Sequence, residues 1–355
     1  MNRQSSIACW ALLALAAMAS CEYIHDDLEP CPSGLRLTFE YDYNLQRADM
    51  FADHVGDVTV YLFDENGSFL TSRSEHGDAL AADGYEMHFD LPPGRYQYLV
   101  SAFQCDYDEL TTFSLDDGAA FIRTEPAAGD SLSAVTHTLE YDAAGYVTHG
   151  GMPLDTLWHG MRTEPVEVVL DRITRDTVSL TRNTKEISVT LREIDDPTRI
   201  DVDDYDFRIY ARNAHLLWDN SVDESTDADT LVYTPYATRN TDDRPVEGAT
   251  GVGRMAHADF MTSRLIYHDR AEDDAILSIT NRRTGVEVAR VDLPDILSRL
   301  RTAADIYRYS PQEFLDRGHE FQLVFFLRGD TWEYVNVEIS ALSWARRIQY
   351  ETIGL

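Results

Sequence analysis

The chain has 355 residues, of which 44% are hydrophobic, and a formal net charge of −32. Its length favours two domains that each bury a core, and its hydrophobic content excludes a disordered chain. The acidic charge argues against nucleic-acid binding and against electrostatic docking on anionic lipid, because both need a basic surface.

The first twenty residues have the pattern of a secretory signal. Arg3 precedes an apolar run over 7–19, which is shorter than the about 20 residues that span a bilayer. Ala19 and Ser20 stand directly before Cys21 and resemble a bacterial lipobox. We therefore expect removal of 1–20, with N-palmitoyl and S-diacylglycerol lipid on Cys21 and no other cofactor. The alternative is an ordinary signal peptide cut nearby, with Cys21 incidental.

Residues 21–34 are predicted to form a lipidated tether. Acidic residues follow Cys21 closely, at Glu22, Asp26, Asp27 and Glu29. This cluster resembles the signal that sends Bacteroidota lipoproteins to the outer leaflet of the outer membrane. We expect a lipid-anchored, surface-exposed outer-membrane protein, although a solvated tether is also consistent with the cluster.

Two cysteines remain once Cys9 leaves with the signal and Cys21 carries lipid. These are Cys31 and Cys105, and the compartment is an oxidising one. The sequence leaves two alternatives open, one disulfide between them or two separate thiols.

The first domain is predicted over 35–183 as a series of strands. Apolar residues alternate at Leu35, Leu37, Phe39 and Tyr41, and a polar stretch over 45–56 allows a short helix. The strand 58–63 ends at Asn66-Gly67, which predicts a hairpin with a type I′ turn. The segment Leu91-Pro92-Pro93-Gly94-Arg95-Tyr96 opens an alternating strand, as in transthyretin-like sandwiches. Further strands are predicted at 135–141, 165–173, 177–182 and 185–193.

The boundary between the domains is placed near Asn183, and the second domain over 184–355 repeats the same pattern. Its strands are predicted at 207–210, 231–236, 260–267, 275–280, 286–292, 321–327 and 332–340, with helical spacing over 296–309. The fold class is therefore mainly β, with two tandem β-sandwich domains after the signal and tether.

No motif for catalysis or metal binding stands out in the sequence. It contains no P-loop, no dinucleotide-binding glycine pattern, no Gly-x-Ser-x-Gly and no His-Glu-x-x-His. We interpret His149 and His159 as polar loop residues, and the carboxylates over 201–206 as solvated loops without a calcium-binding pattern. We expect no enzyme, catalytic residue, metal or small-molecule substrate.

A family resemblance rests on several of these elements together. They are the lipobox cysteine Cys21, Tyr41-Asp42-Tyr43-Asn44, Phe63-Asp64-Glu65-Asn66-Gly67, Leu91 to Tyr96, and Thr181-Arg182-Asn183-Thr184. The set resembles the anchoring subunits of Bacteroidales fimbriae, lipoproteins of the FimB and minor-fimbrium anchor type. The resemblance implies two transthyretin-like domains and a lipid-anchored protein that holds a fimbrium and limits its growth. Its partner would be stalk fimbrillin, contacted through a β-strand.

The C-terminal tail is the candidate donor strand for that contact. Because the N-terminus is tethered at Cys21, the chain is expected to donate a strand, with Ile348, Tyr350 and Thr352 alternating along it. The alternative is a last strand that completes its own domain. Two other functions also remain open: a fimbrial tip or adhesin subunit, and a surface lipoprotein that binds glycan or host protein.

Overall fold

The computed structural model describes residues 33–106, 119–225, 229–245, 252–301, 308–339 and 346–351. The protein is mainly β, which confirms the predicted fold class, and its strands form two pairs of facing sheets with a small sheet between them.

The first ten strands lie before residue 183. They are β1 (Gly34–Glu40), β2 (Asp57–Asp64), β3 (Phe69–His76), β4 (Met87–Phe89), β5 (Gly94–Phe103), β6 (Phe121–Arg123), β7 (His137–Leu139), β8 (Leu157–Val168), β9 (Ile173–Ser179) and β10 (Thr181–Arg182). One sheet has the order β4-β1-β9, and a second has the order β10-β8-β5-β2-β3. These two sheets face each other and form the first sandwich.

The predicted alternation on β1 places apolar residues in the core of this sandwich. Leu35, Leu37 and Phe39 are buried against residues of the facing sheet. Tyr96 and Tyr98 on β5 are buried in the same core, as expected for the strand that follows the Pro-Pro-Gly turn. The Tyr96 hydroxyl donates to the Pro92 carbonyl at 2.8 Å, so the tyrosine also holds the turn.

The hairpin at Asn66-Gly67 forms, but its turn is not type I′. Among the described residues of this turn, only Gly67 has a positive φ, at 80°. The Asp64 carboxylate accepts the amides of Asn66 at 2.8 Å and Ser68 at 2.9 Å. Capping by this aspartate favours a turn in which only the glycine has a left-handed backbone conformation. The β2–β3 register shifts by one residue next to the turn, between Leu62 and Phe63.

The remaining strands lie after residue 183. They are β11 (Lys185–Glu193), β12 (Tyr205–Ala211), β13 (His215–Leu216), β14 (Leu231–Tyr233), β15 (Ala237–Pro245), β16 (Val252–Thr262), β17 (Ile276–Asn281), β18 (Glu287–Asp292), β19 (Glu320–Arg328), β20 (Thr331–Ile339) and β21 (Arg346–Glu351). The second sandwich pairs a sheet of order β15-β16-β11-β19-β20-β21 with one of order β14-β12-β17-β18.

The small sheet connects the two halves of the chain. In it, β7 pairs with β6 on one side and with β13 on the other, so residues from before 183 hydrogen-bond to residues from after it. Phe121, Leu139 and Leu157 belong to the same buried cluster as the core of the second sandwich. The sequence did not reveal that the segment around 119–157 packs against the second sandwich.

The part of the chain that the structure describes also contains three short α-helices: α1 (Phe51–His54), α2 (Leu293–Ser298) and α3 (Pro311–Arg317). Of the helix predicted over 296–309, the described residues contain only the end of α2, which stops at Ser298. Residues 302–307 lie outside the described residues. α3 begins where the Ser310 hydroxyl accepts the amide of Glu313 at 3.1 Å.

Two predicted strands have different bounds in the structure. The strand predicted over 165–173 is two strands joined by a turn, in which Asp171 has a φ of 58°. No glycine or proline marks that turn in the sequence, and the apolar residues on both sides of it suggested a continuous strand. The strand predicted over 260–267 is the end of β16, which stops at Thr262.

Candidate anchoring surfaces

The two sandwiches meet at a buried polar surface that we call the junction. On one side of it lie the residues that follow β1, and on the other side lies α3. The Leu45 amide donates to the Arg317 carbonyl at 3.2 Å. The Arg317 guanidinium stacks on the Tyr43 ring, with its carbon 3.9 Å from the ring centroid. The Tyr-Asp-Tyr-Asn motif therefore joins the first sandwich to the second.

A fully buried lysine lies at the centre of the junction. The Lys185 ammonium donates to the carbonyls of Arg182 at 3.2 Å, Asp316 at 3.1 Å and Gly318 at 2.8 Å. These three acceptors satisfy its three N–H donors. Burial nevertheless lowers the pKa of Lys185 to about 7, because removal from water penalises the charged form.

Arg182 lies beside this lysine and is itself buried. Its guanidinium donates to Glu186 at 2.6 Å and lies over the Trp158 ring, 5.9 Å from the centroid. The Thr181-Arg182-Asn183-Thr184 segment thus has a structural role: it links the last strand of the first sandwich to the first strand of the second.

A second set of contacts ties α3 to the loop after β13. Arg264 forms two hydrogen bonds to Asp316, at 2.9 and 2.8 Å, and a further one to the Asn220 carbonyl. The Asn220 side chain accepts a 2.6 Å hydrogen bond from Asn183. A forked arginine–carboxylate pair of this kind fixes orientation as well as distance. These hydrogen bonds therefore fix how α3 and the loop after β13 are oriented relative to each other at the junction.

Three buried histidines also belong to this region. The His159 ring nitrogen Nε2 donates to the Trp218 carbonyl at 2.9 Å, His319 Nδ1 lies 3.3 Å from the Tyr41 hydroxyl, and His137 Nε2 lies 2.8 Å from Ser101 Oγ. Burial lowers their pKa values to about 4, 2 and 3, respectively. Each is therefore neutral near pH 7. His159 lies in β8 and not in a loop, so its interpretation as a polar loop residue was wrong.

The strand registers define a tether pole at the end of the first sandwich that is far from the junction. Gly34 pairs with Ile173, and Gly94 pairs with Val168, so the start of β1 lies beside the turns of the first sandwich. We define the tether pole as residues 64–70, 90–96 and 167–173. Ser33 and Gly34, the first residues that the structure describes, lie at this pole.

The registers also define a distal pole at the far end of the second sandwich. β11 starts in the junction at Lys185, and β19 runs parallel to it, so Glu193 and Leu327 lie together at the other end. We define the distal pole as residues 193–196, 281–286 and 328–331. The last described strand, β21, runs towards this pole because Ile339 pairs with Arg346 and Tyr334 pairs with Glu351.

The structure describes some of the predicted site residues and not others. Cys21, Cys31 and Thr352 lie outside the described residues. Ile348 and Tyr350 lie in β21, whose backbone pairs with β20 at the edge of its own sheet. This pairing corresponds to the alternative in which the tail completes its own domain. Donation of the tail to another subunit stays a prediction.

The strand registers bear on the open alternative of a disulfide between Cys105 and Cys31, which lies outside the described residues. Cys105 is exposed just beyond the end of β5, at the junction end of the strand. β5 has ten residues and spans about 30 Å from the tether pole, at about 3.3 Å per residue. Cys31 precedes Gly34 by three residues, which reach at most about 11 Å.

Metal-ligand side chains come together at one described place that the sequence did not indicate. Asp57, His76 and Asp106 bring ligand atoms within 4.8 Å of one another. His76 Nδ1 and Asp106 Oδ2 are 3.4 Å apart, as in an ion pair. The carboxylates over 201–206 pair with arginines, for example Asp201 with Arg254 at 3.2 Å.

A family profile with the description "Mfa2: Fimbrillin-A associated anchor proteins Mfa1 and Mfa2" matches residues 28–350. The chain belongs to this family. Its assignment confirms the resemblance drawn from the sequence motifs. A search of curated proteins finds no match.

Solved structures with the same fold include proteins from Bacteroides thetaiotaomicron and Porphyromonas gingivalis. A putative adhesin from Bacteroides thetaiotaomicron is 27% identical with a TM-score of 0.74, over 91% of this chain and all of that one. A second protein of that species, described as a putative polysaccharide binding protein, is 28% identical with a TM-score of 0.69, over 90% and 99%. The anchor protein Mfa2 from Porphyromonas gingivalis is 17% identical with a TM-score of 0.58, over 89% and 99%, and shows a shared fold.

Family membership confirms that the chain is not an enzyme, since the family consists of fimbrial anchor and adhesin-like proteins. It also implies association with the cell surface. Among the described residues, no helix is long and apolar enough to cross a membrane.

The sequence did not lead us to the junction, although one signal was present. Lys185 occupies the same alternating register as Ile187, Val189 and Leu191, whose side chains face the core. A lysine at an inward-facing position of a buried strand indicates that its ammonium finds acceptors inside the protein. The identity of those acceptors depends on α3, which is distant in sequence.

Proposed function

We propose that this chain is an outer-membrane lipoprotein that anchors a fimbrium to the cell surface and limits its growth. Lipid on Cys21 would attach it to the membrane, and strand-mediated contact would hold a stalk fimbrillin. The observation that carries the proposal is the separation of the two attachment points. Gly34, where the expected tether would end, lies at one pole, and the C-terminal strand lies in the other sandwich and runs towards the opposite pole.

The junction supports this role because a load passing between the poles must cross it. Lys185, Arg182 and the pair of Arg264 with Asp316 hold the sandwiches together through buried hydrogen bonds. Hydrogen bonds shielded from water resist exchange with solvent better than exposed ones do. An anchor would need such a connection.

The contact with the stalk is assigned to the C-terminal segment 346–355. Its described part, β21, is the last strand of the six-stranded sheet, and one main-chain edge of an edge strand is available for pairing with another chain. The segment would bind either by extending this sheet into the fimbrillin or by leaving it to enter the fimbrillin's own groove.

The test is a pull-down of fimbrillin from outer-membrane fractions, with mass spectrometry of the N-terminal peptide. We expect lipid on Cys21 of an uncut mature chain and co-purification of a fimbrillin. Deletion of 346–355 should abolish the co-purification, whereas Cys21→Ser should release the protein from the membrane and keep fimbrillin binding. Retained binding after the deletion would refute the C-terminal contact.

A second candidate function is a surface lipoprotein that binds glycan. It is favoured by the similarity to a solved structure described as a putative polysaccharide binding protein. A glycan ligand at a concentration far above its Kd would raise the melting temperature, since it binds only the folded state. An anchor of the proposed kind should show no such shift with any glycan of a screened panel.

A further inference from the structure

The tether pole presents an apolar surface built from three neighbouring chain segments. Leu70 is 47% exposed, and Leu170 is 67% exposed. Between them, Leu91 and Ile173 are half-buried, and the consecutive residues Pro92 and Pro93 are exposed. The ends of β8, β5, β2 and β3 lie side by side in one sheet, so these residues lie at the same end of the first sandwich.

The local backbone explains why these side chains project outwards. Leu170 stands at the tip of the β8–β9 turn, directly before Asp171 with its left-handed φ of 58°. A groove of about 460 Å³ lies beside the Pro-Pro turn and is lined by Leu70, Leu91, Pro92 and Tyr96 among others. Leu70 and the Pro-Pro turn thus share one groove, whose lining also includes Asp64, Glu65 and Arg95.

The tether pole is acidic, as the rest of the chain is. Its exposed charged residues are four acids and two arginines: Glu65, Asp90, Glu167, Asp171, Arg95 and Arg172. With the half-buried Asp64 they make five acids and two arginines, a net charge of −3, which for 21 residues is no less acidic than the −32 of the 355-residue chain. The pole lacks the basic excess needed for electrostatic attraction to anionic lipid, so its contacts must be apolar.

The position of the tether indicates what covers this surface. Cys21 precedes Gly34 by thirteen residues, so acyl chains on Cys21 keep the pole within about 45 Å of the membrane even when the tether is fully extended. A surface held this close to a bilayer encounters it at high effective concentration. Turn-tip leucines are suited to the interface between lipid headgroups and acyl chains.

We propose that the tether pole is a membrane-contacting surface, in which Leu70, Leu170 and the Leu91-Pro92-Pro93 turn lie in the lipid interface beside the acyl chains of Cys21. This inference rests on the proposed lipid attachment. Contact at this pole would direct the first sandwich away from the bilayer and turn the junction end outwards.

The test uses the full mature chain, lipidated and reconstituted in phosphatidylethanolamine vesicles with a minor phosphatidylglycerol fraction. Leu170→Trp adds a fluorophore at the turn tip, and Val286→Trp adds one at an exposed site of the distal pole as a matched control. Half of each vesicle preparation contains lipid with brominated acyl chains, which quench tryptophan at short range. We expect the emission added by Leu170→Trp to be quenched and that added by Val286→Trp to be unchanged.

The possible failures are distinguishable. If the N-terminal peptide carries lipid but the added Leu170→Trp emission is not quenched, the membrane contact is refuted and the anchor proposal stands. If the peptide carries no lipid, the attachment fails and the membrane contact fails with it. If a mature Cys21→Ser chain is a dimer in sedimentation and Leu170→Asp makes it monomeric, the surface binds a second copy, and the membrane contact is also refuted.

Discussion

The two ends of the first sandwich differ in composition and in packing. The junction end contains buried charged and polar side chains, including Arg182 and Lys185, with partners at hydrogen-bond distance. The tether pole exposes apolar side chains, including Leu70 and Leu170, to solvent. In a soluble domain the usual arrangement is the reverse, with polar groups outside and apolar groups inside.

The two ends therefore place different demands on their surroundings. Buried charges are stable only when they are paired, so the junction requires the second sandwich to be docked. Exposed leucines need no partner within the chain, so the tether pole is free to contact something else. The following changes test this contrast, from the largest expected effect to the smallest.

Replacing the carboxylate of the junction should have the largest effect. Asp316→Ala leaves the Arg264 guanidinium buried without its forked partner, and loss of one partner of a buried pair costs about 3–5 kcal/mol. Urea denaturation of the mature chain would measure this loss of unfolding free energy. Glu167→Ala at the tether pole is the matched control and should change it by less than about 0.5 kcal/mol. Equal effects of the two variants would contradict the contrast.

The buried histidines should make the junction sensitive to acid. The pKa of His159 falls from its usual 6.5 to about 4 on folding, so between these values the unfolded state binds more protons than the folded state. Stability therefore decreases as pH falls through this window, by about 2 kcal/mol between pH 7 and pH 5 for His159 alone.

A variant separates this contribution from those of other groups. His159→Gln keeps a donor for the Trp218 carbonyl but does not titrate, so its loss of stability between pH 7 and pH 5 should be smaller than that of the parent by about 2 kcal/mol. Denaturation curves at both pH values would show the difference. Ser72→Ala, which changes an exposed side chain that does not titrate, should keep the parent's acid sensitivity. An unchanged pH dependence in His159→Gln would be evidence against a buried neutral imidazole.

Weakening the start of α3 should have an intermediate effect. Ser310→Ala removes the hydroxyl that accepts the Glu313 amide, and loss of such an N-cap costs about 1 kcal/mol. Because α3 carries Asp316, the same variant should increase hydrogen exchange at the junction, detected by mass spectrometry of peptides from 311–319. Ser72→Ala on the exposed strand β3 is the control. An increase confined to β3 would be inconsistent with the role of α3.

Changing the tether pole should have the smallest effect on folding. Leu170→Ser removes a side chain that is 67% exposed, so the unfolding free energy of the mature chain in solution should change by less than about 0.5 kcal/mol. Urea denaturation would measure it alongside Asp316→Ala. A loss above about 1 kcal/mol would mean that the turn packs against the rest of the protein, and that its leucine has a structural role.

Local patterns were sufficient to predict many individual strands. Alternation on β1 and β11 and the Pro-Pro-Gly turn before β5 depend on neighbouring residues, and these elements formed where they were predicted. The turn within 165–173 was missed because Asp171 adopts a left-handed φ without glycine. The residues of the junction were missed because their partners, such as Lys185 and Gly318, are more than a hundred positions apart.

The sequence by itself determined the mainly β fold, the family motifs and the acidic charge, because these follow from short-range periodicity and from composition. The tertiary structure alone decided which residues meet at the junction and at which pole Gly34 lies. It also decided that 119–157 pack against the second sandwich. These outcomes depend on strand order and register, which are set by long-range pairing and by the burial of apolar surface from both halves of the chain.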